Sequence, residues 1–69
     1  MDERLLKRIQ EEYQLKEKLQ EAIDNLLFMK DNGLLVELEM GKTDHLISIL
    51  RLQILEKEKL IETLEWLMK

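Results

Sequence analysis

"DNGLLVELEMGKTDHL", residues 31–46, decides the fold, because the chain on either side of it reads as helix. It holds both glycines of the chain, and it contains Gly41-Lys42-Thr43, the ending of a nucleotide-binding phosphate loop. That loop needs a further Gly five positions before Gly41, so that the backbone can fold over the phosphates. Val36 stands there, and Gly33 lies too far upstream. The surrounding βαβ unit is missing as well, so nucleotide binding is not expected. The simpler reading has Gly41 ending a short middle element, Lys42 in solvent, and Thr43 as N-cap of the following helix through its hydroxyl. Residues 34–40 stay ambiguous. Val36 to Met40 alternates with period two, as a strand would, and such a strand would need another chain to pair with. Leu34, Leu35 and Leu38 fit one turn of a short helix equally well.

Upstream of this stretch, residues 2–31 contain no Gly or Pro. Leu5, Leu6, Ile9, Tyr13, Leu19, Ala22, Ile23, Leu26 and Leu27 recur at spacings of three and four, one wide apolar stripe on a helix. Asp2 and Glu3 match the positive end of that helix, Lys30 matches the negative end, and Asn32-Gly33 supplies a stop. Downstream, a second helix is expected over 44–68. Leu46, Leu50, Gln53, Lys57, Leu60, Leu64 and Leu67 follow a four-three heptad alternation, beside a parallel row of Ile47, Ile54, Ile61 and Met68. Residues 32–43 form the connector. The fold expected is all-α: a single antiparallel helical hairpin with a short middle element, two copies of which make a four-helix bundle.

Size argues for that assembly. A chain of 69 residues buries only roughly 60% of its unfolded surface, and its one core supplies about 3–5 kcal/mol. Disulfides are excluded by the lack of Cys, and His45 as the only imidazole makes a metal site improbable. Self-association is the remaining route to stability.

Charge closes several functional classes. The net charge of −4 is shared evenly, with six basic and eight acidic residues over 1–33, five and seven over 34–69. Neither half offers the basic stripe that phosphate backbones or anionic lipid require. No direct nucleic-acid contact and no membrane association are expected, and the lack of Cys agrees with a cytoplasmic protein. No cofactor is expected either. Asp44 and His45, as neighbours on a helix, point about 100° apart and make no oriented acid–base pair. Enzymatic activity is not expected.

Two features carry the functional reading. Glu12, Lys16 and Gln20 fall inside the first helix's apolar stripe, and Gln53 and Lys57 occupy core heptad positions of the second. Antiparallel pairing brings these residues to similar heights, as one polar layer. Either their long stems reach out from the edge of a small core, or the layer sets register and oligomeric state. The second feature is "LISILRLQIL", residues 46–55, apolar on nearly every side. A hairpin mate covers one side only, so Ile49, Leu52 and Leu55 need another surface, with Trp66 on the same outer side. That surface is a second copy or a different protein. The expected function is a small acidic protein–protein interaction module, a homo-oligomeric regulator or adaptor that binds a partner protein. Alternatives are a dimerisation domain of a larger regulator, and an acidic inhibitor of a nucleic-acid-binding protein.

Residues 28–67 resemble in composition the region after the DNA-binding domain of MerR-type regulators, where a short helix leads into a long dimerising helix. Residues 1–27 lack that family's winged helix-turn-helix, so the likeness is one of coiled-coil texture and carries no DNA-binding role.

Overall fold

The computed structural model describes residues 2–69, with the side chain of Leu38 left aside. The described residues form two helices: α1, Glu3–Asp31, and α2, Glu37–Met68. They run antiparallel as a hairpin 51 Å long and 15 by 13 Å in section.

Both ends of α1 form as local chemistry dictates. The Asp2 carboxylate accepts from the amides of Arg4 at 2.9 Å and Leu5 at 3.4 Å, which satisfies two free donors of the first turn. At the other end Gly33 adopts φ +67. Its amide donates to the Lys30 carbonyl at 3.2 Å, and the Leu34 amide donates to the Met29 carbonyl at 3.0 Å. This is a Schellman closure, and the left-handed backbone at its centre favours Gly.

The connector departs from expectation. The second helix starts at Glu37, about two turns before Asp44. There is no separate middle element: residues 34–36 complete the turn, and Glu37 onward is one continuous helix. Gly41 is inside α2 rather than at a break, and a Gly in a helix costs only about 1 kcal/mol. Thr43 is buried in the body of α2 and is not an N-cap. The cap position belongs to Val36, whose side chain makes no capping bond, and Glu37 and Glu39 supply the favourable charge to the first turn. Burial explains the early start. Continuing the helix upstream turns Thr43 and, in part, Met40 into the hairpin alongside Ile47.

The core is a single row of side chains between the helices. Ile23, Ile47 and Ile54 are its buried centre, with Leu19, Leu26, Leu27 and Leu50 packed against them. Ile9 and Ile61 are buried nearer the open end. In α2 the seam is therefore the isoleucine row. The leucine row, read from sequence as the core heptad, lies beside it: Leu50, Leu60 and Leu64 are half-buried, whereas Leu46, Gln53 and Leu67 are exposed.

Candidate interaction surface

Between the buried centre and the open end lies the polar layer. Glu12 is only 3% exposed, yet it is ionisable. Arg8 Nε, one turn back, lies 3.1 Å from its Oε1, and Lys57 Nζ reaches across from α2 to 2.8 Å from Oε2. That second oxygen receives no well-directed hydrogen bond and is held by the lysine's charge. The Lys57 ammonium is the main reason the Glu12 carboxyl titrates below its ordinary range. Burial pushes the other way, and Arg8 adds to the lowering. The close contact with Lys57 outweighs that burial.

The remaining layer residues divide. Lys16 pairs across the helices with Glu58 at 3.3 Å. Gln20 turns along its own helix and donates to Asp24 at 3.1 Å, and Gln53 is exposed. The layer expected from spacing thus contracts to Glu12 and Lys57, with Lys16 alongside. Gln20 and Gln53 stand outside it, the first bonded along its own helix and the second exposed.

Along its length the hairpin presents two unlike flanks. One carries Tyr13, Lys16, Glu58, Glu62 and Glu65 around the edge of Ile61. There the Tyr13 hydroxyl donates to Glu65 Oε1 at 2.7 Å, a bond that holds the phenol in its protonated form and raises its pKa. The opposite flank is a shallow groove lined by Leu15, Lys18, Leu19, Gln53, Glu56 and Lys57. At 100° per residue, Ala22, Leu26 and Met29 continue this flank on α1, and Leu46, Leu50, Leu60 and Leu64 continue it on α2. This flank was not found from sequence. Its signal was the row Leu15, Leu19, Ala22, Leu26 at helical spacing, which gains meaning only once the matching side of α2 is known.

The outer side of α2 is a third surface. Ile49, Leu52, Leu55 and Trp66 are 40%, 57%, 53% and 71% exposed, uncovered by α1. The aliphatic three lie together, with Ile49 bordering the leucine flank. Trp66 is about 16 Å beyond Leu55 along the helix axis, beside Lys59, Glu62 and Thr63, so it forms a separate spot.

Asp44 and His45 do not pair with each other. Asp44 is drawn to Lys30, with Oδ1 2.7 Å from Nζ, while His45 is exposed on α2. Gly41-Lys42-Thr43 is helical, with its backbone in the helix ladder rather than in a phosphate-binding loop. Among the described residues, no three His, Cys, Asp or Glu side chains converge as a metal site would require, and no helix is long and apolar enough to cross a membrane. In comparisons with protein families, curated proteins and solved structures, nothing matches this chain.

Proposed function

We propose that this chain is a small helical protein–protein interaction module, which self-associates as a dimer of hairpins and regulates or adapts by occupying a partner protein's surface. The observation that carries the reading is how much apolar side chain one hairpin leaves exposed, Leu15 and Leu46 on one flank and Ile49, Leu52 and Leu55 on the outer side of α2, against five buried apolar side chains among the described residues. Covering three such aliphatics is worth several kcal/mol at about 25 cal/mol per Å2, which rivals the stability of a lone hairpin this size. Trp66, apart from that cluster and the most exposed of the large apolar side chains, has the character of an anchor for a different protein. An acidic imitation of nucleic acid is less well supported, because Glu58 and Glu65 on the charged flank are already engaged by Lys16 and Tyr13.

Sedimentation equilibrium over a dilution series tests the reading. Mass above that of one chain at micromolar concentration is expected, with helix content falling as the assembly dissociates. A compact, fully helical 8.4-kDa species persisting at nanomolar dilution would end it. Trp66→Ala is expected to leave the assembled mass unchanged while abolishing capture of the partner.

A further inference from the structure

We infer that a second copy of this chain seats on the leucine-lined flank, between α1 and α2, rather than on the outer side of α2. The inference rests on the self-association proposed above and says where it happens. Three observations converge. Leu46, Leu50, Leu60 and Leu64 keep a heptad-like spacing, yet α1 meets the neighbouring isoleucine row and leaves these leucines half-buried or exposed. A sustained second row of this kind is what a second helical interface uses. Next, α1 contributes to the same flank: Leu15 and Leu19 line the groove with Gln53 and Lys57. The flank is therefore two helices wide, the width against which another hairpin packs to form four helices around one core.

The third observation is area. A compact monomer of 8.4 kDa exposes about 4,600 Å2, whereas this chain exposes 5694 Å2. The surplus of about 1,100 Å2 exceeds the roughly 800 Å2 that each partner loses in a standard interface. A two-fold dimer presents the same flank from both copies, so the leucines meet leucines. Lys57, which lines the groove, and its partner Glu12 become enclosed at mid-height. The opposite flank, with Glu58, Glu62 and Glu65, is kept apart from its own kind. The outer side of α2, with Leu52 and Trp66, remains free for a different protein.

Two variant pairs separate the surfaces. Leu15 and Leu46 are each 43% exposed, so the hairpin itself does not depend on burying them. The double variant Leu15→Glu, Leu46→Glu is expected to weaken dimerisation by at least about 100-fold. Leu52→Glu with Trp66→Glu should change it by less than about threefold. Because loss of helix accompanies dissociation, alkylation of single cysteines gives a second measurement in a chain that has none of its own. With Leu15→Cys the thiol should become protected from a small maleimide as protein concentration rises. With Leu52→Cys it should react at a constant rate. Protection at 52 alone, or at both positions, overturns the placement while self-association stands. Constant reactivity at both, with an 8.4-kDa mass at the highest concentration, overturns placement and self-association together.

Discussion

The half of the hairpin next to the turn and the half next to the chain ends are held by different physics. Near the turn, Ile23, Ile47 and Ile54 pack with four leucines in an apolar cluster, and Gly33 and Asn32 close α1 onto a short link. Near the ends, Ile9 and Ile61 are separated from that cluster by Glu12, Lys57, Lys16 and Glu58, and Tyr13 ties to Glu65 at the surface. Non-directional burial sets how strongly the first half holds. The second half is crossed instead by ion pairs, whose contribution varies with pH. A thin hairpin can thus have a firm end and an adjustable one.

The largest expected effect is at Ile23, only 2% exposed. Ile23→Ala should destabilise by about 2–5 kcal/mol, enough to abolish the cooperative thermal transition followed by circular dichroism. Ile9→Ala, in the end half, should cost less than half as much, and equal costs would break the comparison.

Next comes the buried carboxylate. Glu12→Ala should destabilise by about 1–3 kcal/mol in urea titrations, since Lys57 can turn its ammonium toward water once alone. The sign with pH follows from the lowered pKa of Glu12. Its contribution is fully present above the unfolded value of about 4.3 and is lost as pH falls through the folded value. Glu12→Gln should therefore flatten the acid limb of the stability curve. An unchanged acid limb would show that the end half does not depend on this charge.

The two glycines sharpen the contrast within the turn half. Gly33→Ala should destabilise by about 1 kcal/mol because its φ of +67 is left-handed. Gly41→Ala should stabilise by about 1 kcal/mol, since open space surrounds the position of the added methyl. Opposite shifts in melting temperature are the check.

Tyr13→Phe has the smallest expected effect. The raised phenol pKa means that the contribution of its bond to Glu65 is intact below the unfolded value of about 10 and fades as pH rises through the folded one. Ultraviolet titration should show the tyrosine ionising late in the parent chain. Melting temperatures near neutral pH should barely differ between the two.

Much of the candidate surface was legible before any fold was known. Ile49, Leu52 and Leu55 had to point away from a single hairpin mate, since seven apolar residues in ten leave no polar side to that stretch. Glu12 and Lys57 at core positions announced a polar layer. Gln20 and Gln53 looked alike by spacing, and only the packing showed that they stop short of the seam. Thr43 matched a capping residue by type, yet it became an interior residue when α2 continued upstream.

By itself the sequence determined two helices, the acidic start at Asp2 and Glu3, the stop at Asn32-Gly33 and an antiparallel hairpin. These follow from side-chain period and from hydrogen bonds between near neighbours, which the chain makes without consulting the rest of the molecule. Tertiary structure decided which of two adjacent rows of α2, isoleucine or leucine, became the seam, and where α2 begins. Both rows satisfy the same helical spacing, so only the side chains that α1 brings opposite can choose between them.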